Sequence, residues 1–200
     1  SPHRCRPHGL RSWPAGAQTA RIAAMPDTAP AIALIPHLLI VAPQVRALEV
    51  RTAWTAADGL QISYCLWGDI ARLRVPDDQP ARRADQLWEH TCFEAFVALP
   101  GSQAYREFNF SPAGLWASYD FSAYRHRAEI TDATDDELVA PQIVTRRYAG
   151  RLEVDATLAA SVLPAGMEAL DVGLCAVVEA ADAVDGHHSY WALAHGAARP

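Results

Sequence analysis

Between Trp88 and Trp116 the chain sets Glu94, Glu107 and Asn109 among alternating apolar residues. Those side chains are the equipment of a sugar site. A pyranose offers apolar C–H faces that stack on an indole, and hydroxyls that hydrogen-bond to carboxylates and amides. Two glutamates are also the residue types of a retaining glycosidase, whose carboxyls stand about 5 to 5.5 Å apart. A flat sheet face with exposed carboxylates, however, lacks the enclosure that raises the pKa of a catalytic acid. The expectation is therefore a binding protein and not an enzyme.

Whether these side chains meet depends on strand register. In residues 92–99 Phe93, Ala95, Val97 and Leu99 share one parity, and Cys92, Glu94, Phe96 and Ala98 share the other, the pattern of a half-buried strand. Pro100, Gly101 and Ser102 then set a turn, 104–110 make a second strand, Ser111, Pro112, Ala113 and Gly114 a second turn, and 115–121 a third strand. If both turns are four-residue loops, Leu99 pairs with Ala104 and Phe110 with Leu115. Glu94, Asn109 and Trp116 then share one row, Phe96, Glu107 and Ser118 the next, and Ala98, Tyr105 and Asp120 the third. Carrying the parity of Glu94 backwards adds Cys92, His90 and Trp88 to this platform. The opposite face holds Phe93, Ala95, Val97, Phe108, Phe110, Leu115, Ala117 and Phe121, with Arg106 opposite Val97 as its exception.

The run LWEHTCFEAFV…YREFNFSPAGLWASYDF…YR, together with SYWALAH near the C-terminus, resembles the bacterial DOMON-like proteins related to family-9 carbohydrate-binding modules. The likeness covers residues 38–195. It implies a β-sandwich that binds a sugar or, in some relatives, a haem. In the sugar-binding modules paired Trp side chains clamp the ligand and Glu, Asn and Arg groups hydrogen-bond it; the matching positions here are Trp88, Trp116, Glu94, Arg106 and Asn109. Relatives usually continue past SYWALAH into a further strand, and since the sequence stops at Pro200 the domain is expected to lack that strand.

Composition narrows the class. Two hundred residues, half hydrophobic and 20% charged, suit one domain with a sizeable core. All 17 basic residues are Arg, and 23 acids bring the net charge to −6. Residues 1–24 carry four Arg and no acid, so the remainder stands at −10, which gives no basic face for nucleic acid. That Arg-, Pro- and Gly-rich segment has no apolar periodicity and precedes Met25; it reads as a disordered tail or as an extension upstream of the true start, with 25–200 as a single domain. The apolar stretch 31–42 is broken by Pro36 and His37 and is too short to span a membrane. No convincing signal peptide is visible, so the default location is cytoplasmic.

Other chemistries find less purchase. Cys5, Cys65, Cys92 and Cys175 read as thiols and not as a disulfide framework. Glu89, His90 and Cys92 offer metal-ligand types, but strand geometry sends Glu89 to the other face. No cofactor is expected, although two alternatives remain. A haem would need Met25 or Met167, or a pair among His90, His187 and His188. A structural calcium could use Asp132, Asp135 and Asp136. The same aromatic face could instead receive a protein partner. Phosphate-binding Gly-rich loops, GxSxG and HExxH are absent.

From residue 45 onward the chain reads as strands: 46–55 and 60–67 around Ala57, Asp58 and Gly59, a short strand over 70–75, then the charged loop 76–85 leading to Trp88. After residue 125 strands are expected at 138–148, 152–158, 170–180 and 189–194, with a helical turn near 157–166. Strands of this length without 3.6-residue periodicity favour an antiparallel sandwich.

Overall fold

The computed structural model describes residues 20–23, 30–37, 42–55, 59–123, 126–128, 139–164, 169–181 and 187–194. Twelve antiparallel strands run through it: β1 (Ala20–Ala23), β2 (Ile32–Pro36), β3 (Val45–Thr55), β4 (Gly59–Gly68), β5 (Cys92–Ala98), β6 (Tyr105–Phe110), β7 (Trp116–Ala123), β8 (His126–Arg127), β9 (Gln142–Tyr148), β10 (Arg151–Leu158), β11 (Ala169–Glu179) and β12 (His188–Ala192). Helix among the described residues is limited to 3-10 turns at Ile70–Arg72, Leu87–Glu89 and Ala160–Val162, and no helix is long and apolar enough to cross a membrane. The fold is an all-β antiparallel sandwich.

One layer has the order β8-β7-β6-β5-β11, with β12 and β1 pairing different stretches of the far edge of β11; the other runs β2-β3-β4-β10-β9. The two are joined at β2. Ile32, Ala33 and Leu34 pair with β3, and Ile35 and Pro36 pair with β12, so the strand turns a corner between layers. Ala20–Ala23 belong to the segment expected to stand apart from the domain, yet they pair with Ala169–Val172 of β11.

Alternation builds the core. In β10, Leu152, Val154, Ala156 and Leu158 are buried while the residues between are half-exposed. They meet Leu60, Ile62, Tyr64 and Leu66 of β4, and, from the first layer, Phe93, Ala95, Val97, Phe108 and Phe110, in one cluster that also takes in alternate residues of β11. The Tyr64 hydroxyl donates to the backbone carbonyl of Glu94 at 2.7 Å, tying the layers together beneath the candidate site. Two arginines reach across the fold: Arg106 of β6 donates to the Val162 carbonyl, and Arg147 of β9 donates to Asp78 and to the carbonyls of Pro76 and Pro112. The segment expected as a strand over 70–75 is instead a 3-10 turn followed by a single bridge from Leu73 to Ala180.

Candidate functional site

The site lies on the face of the first layer that points away from the core, and register decides its membership. β5 and β6 pair as the spacing predicts: Glu94 faces Asn109, Phe96 faces Glu107, and Ala98 faces Tyr105. Between β6 and β7 the register differs by one residue. Phe110 faces Trp116, Asn109 faces Ala117, and Glu107 faces Tyr119. The cause is Gly114, whose φ of 90° puts it in the left-handed region. Its amide donates to the Ser111 carbonyl, and the Ser111 amide donates to the Leu115 carbonyl. The loop is thus three residues closed by Ser111 and Leu115, not four closed by Phe110 and Leu115. A one-residue shift sends every β7 side chain to the other face.

The corrected rows are Ala117, Asn109, Glu94, Cys175 and Ala192; then Tyr119, Glu107, Phe96 and Gly173; then Phe121, Tyr105, Ala98 and Asp171. A polar strip of Glu94, Asn109 and Glu107 therefore runs between two apolar groups. Leu87, Trp88, Cys92, Ala117, Tyr119 and Phe121 form one; Phe96, Ala98, Cys175, Val177 and Ala192 form the other, with Tyr105 packed against both. Trp88 meets Tyr119 edge-on at 6.0 Å, Tyr105 stacks on Phe121 at 4.7 Å, and Phe96 lies 6.1 Å from Tyr105. Although the strip is on an outer face, Glu94 is 2% exposed, Glu107 6% and Asn109 0%. Asn109 Nδ2 donates to Glu107 Oε1 at 2.9 Å, while the Cys92 thiol approaches Asn109 Oδ1 at 3.9 Å. Buried acceptors of this kind demand donors, and Asn109 supplies one.

Part of the cover is the turn Leu87–Glu89, which packs against β5 and β6. Trp88 reaches the face from this turn, not from a backward extension of β5; Gln86 before it has a left-handed φ of 62°. The loop leading in is held along the start of β7: the Trp116 amide donates to the Arg82 carbonyl, the Ala84 amide to the Trp116 carbonyl, and the Gln79 amide to the Ala113 carbonyl.

Of the seven candidate residues, Trp88, Glu94, Glu107 and Asn109 come together. His90 stands at the margin, exposed, with Nδ1 2.9 Å from Glu179 Oε2. Trp116 does not join them: it is buried in the row of Phe110 and Phe93, on the face turned to the core. Arg106 is also elsewhere. It shares the row of Val97 on that inner face and gives Nε and Nη2 to the two carboxylate oxygens of Asp120 at 2.6 and 2.9 Å. Ser118 and Asp120 leave the platform with the same shift, and Tyr119 and Phe121 enter it.

Tyr119 is the main residue that sequence reasoning passed over. Its hydroxyl donates to Asp85 Oδ1 at 2.7 Å, and the guanidinium carbons of Arg127 and Arg83 lie 4.3 and 5.7 Å from its ring centre. Burial, then the hydrogen bond and charge of Asp85, push its phenol pKa well above the ordinary value of 10; the two arginines pull weakly the other way. Folding thus favours the protonated phenol. The linked stability is full below the ordinary pKa and is lost as pH rises above it, since the unfolded chain releases that proton first. Between pH 10 and 12 the wild-type chain should lose stability to urea more steeply than Tyr119→Phe; parallel losses would contradict this placement.

Among the described residues no group of three His, Cys, Asp or Glu side chains could hold a metal ion, and Cys65, Cys92 and Cys175 form no disulfide with one another. His188 Nε2 lies 2.8 Å from the Glu89 carbonyl, so this histidine and His90 each have a protein partner. Met25, Met167, Asp132, Asp135 and Asp136 lie outside the described residues.

No protein-family model matches the chain, and no curated protein matches it in sequence. Among solved structures, the fold is similar to the crystal structure of a proposed carbohydrate-binding protein from Bacteroides uniformis, with a TM-score of 0.53 and 13% identity over 86% of this chain and 80% of that one. At that identity the likeness speaks for the fold: the chain shares its sandwich architecture with a protein of that description.

Proposed function

We propose that the chain is a non-catalytic, DOMON-like binding domain that takes a small sugar or oligosaccharide on the outer face of its first layer. The observation that carries this reading is the Glu94, Asn109 and Glu107 strip set between aromatic groups, because carboxylates and an amide bordered by rings match alternating hydroxyls and C–H surfaces. The fold similarity to a proposed carbohydrate-binding protein supports the same class of ligand. The strip is covered and Trp88 is itself buried, so a sugar meets Tyr105 first and reaches the indole and the carboxylates as the Leu87–Glu89 turn yields.

Aromatic stacking with a few hydrogen bonds gives roughly 4 to 8 kcal/mol, a micromolar to millimolar Kd. Titrating glucose, galactose, xylose and cellobiose by calorimetry is the test. At least one should bind in that range, Trp88→Ala should weaken it about tenfold or more, and an aryl glycoside should remain uncleaved. A folded chain silent to the whole panel would remove the reading.

A further inference from the structure

The peptide that follows Trp88 is gripped by two residues of the same outer face, one on β11 and one on β12. Glu179 of β11 and His188 of β12 are direct cross-strand partners, and each holds one of the two residues after the indole. His188 Nε2 donates to the Glu89 carbonyl at 2.8 Å, and His90 Nδ1 donates to Glu179 Oε2 at 2.9 Å. The partners fix where a proton must sit: on Nε2 of His188 against a carbonyl, and on Nδ1 of His90 against a carboxylate.

Glu179 is itself fixed. Its carboxylate is buried, and Arg74 Nη1 lies 3.1 Å from Oε1, the oxygen that His90 does not use. Its amide donates to Thr91 Oγ1, which donates in turn to the Arg74 carbonyl, while the Arg74 amide donates to the Glu179 carbonyl. By contrast the Leu87–Glu89 turn is three residues of 3-10 geometry entered through a left-handed Gln86 and lacks a side-chain cap at its start. So short a turn does not hold one conformation by its own hydrogen bonds.

We propose that Glu179 and His188 are positioning residues for the binding site: together they clasp the Glu89–His90 peptide and so set where the Trp88 indole stands against Tyr119 and the polar strip. The consequence for binding rests on the sugar reading above, whereas the stance of Trp88 does not.

The two are separable by experiment. The protein is labelled with 5-fluorotryptophan, and the Trp88 fluorine resonance is assigned with Trp88→Phe. In the free protein His188→Ala and Glu179→Ala should shift or broaden that resonance and leave the core Trp54 and surface Trp67 resonances in place. His188→Gln, whose amide can again donate to the Glu89 carbonyl, should restore it. Affinity for the best-bound of glucose, xylose and cellobiose should fall about tenfold in the two alanine variants and return in His188→Gln, in keeping with one displaced stacking contact. A Trp88 resonance indifferent to His188→Ala, or one that His188→Gln fails to restore, would overturn the proposal. If Glu179→Ala loses the Trp54 signal through unfolding, the two His188 variants decide. If no sugar binds wild type, the proposed function falls, and the fluorine comparison still decides the role of the clasp.

Discussion

Asn109→Leu should destabilise the chain by about 2 to 3 kcal/mol, measured as a lower midpoint in urea with an unchanged slope. The substitution nearly conserves volume, so no cavity term enters. What it removes is the Nδ2 donor to Glu107 Oε1, at a position with no solvent exposure, leaving a carboxylate that is 6% exposed short of a hydrogen bond. Removing one partner costs more than removing both. The double variant Asn109→Leu with Glu107→Met should therefore recover most of the loss, while sugar binding stays abolished because both hydrogen-bonding groups are gone. An Asn109→Leu protein as stable as wild type would mean that water reaches the strip and satisfies Glu107, and that the strip is not the enclosed polar feature described above.

Gly59→Ala should cost about 3 kcal/mol or more, combining a left-handed backbone penalty with a steric clash. Gly59 has φ of 89°, and a Cβ there would collide with the Leu158 carbonyl oxygen and lie 2.7 Å from the Ala160 amide nitrogen. Both are backbone atoms, one at the end of β10 and one in the turn that leaves it, so neither can swing aside. Gly101 is the matched control. Its φ is 79°, but nothing lies within 4 Å of a Cβ built on it, so Gly101→Ala should cost only the backbone penalty of about 1 to 2 kcal/mol. The difference between the two variants isolates the contact of the β4 start with the turn after β10; equal costs would place that turn wrongly.

Much of the sandwich was legible because its strands obey period two and are punctuated by Gly, Pro and Asp. The β5 to β6 pairing followed from parity and the 99–104 turn, and it correctly brought Glu94, Asn109 and Glu107 together. The β6 to β7 pairing did not follow. Ser111, Pro112, Ala113 and Gly114 are compatible with loops of three or four residues, and only the left-handed backbone at Gly114 selects three. That single conformation exchanged Trp116 for Ala117 on the platform and brought in Tyr119 and Phe121.

The 3-10 turn at Trp88 was hidden for a different reason. Parity extended backwards from Cys92 has no means of detecting where a strand stops, and here the chain leaves strand geometry at a turn whose Glu89 and His90 meet His188 and Glu179, 99 and 89 residues downstream in the sequence. Local pattern carries no record of such a contact. The burial of the strip was equally out of reach: alternation marked Glu94 and Glu107 as outward-facing, which they are, but whether an outward face is wet depends on what crosses it.

On the proposed reading, sugar binds the covered outer face of the first layer. The second layer offers the obvious rival, where Arg151 stacks between Trp67 at 5.0 Å and Tyr148 at 4.4 Å and both rings are exposed. Mapping backbone and tryptophan side-chain NMR shifts during a cellobiose titration distinguishes the two faces. Shifts concentrated at Trp88, Glu94, Phe96, Tyr105, Glu107 and Asn109 are predicted, with Trp67 and Tyr148 unmoved; shifts confined to Trp67, Tyr148 and Arg151 would contradict it.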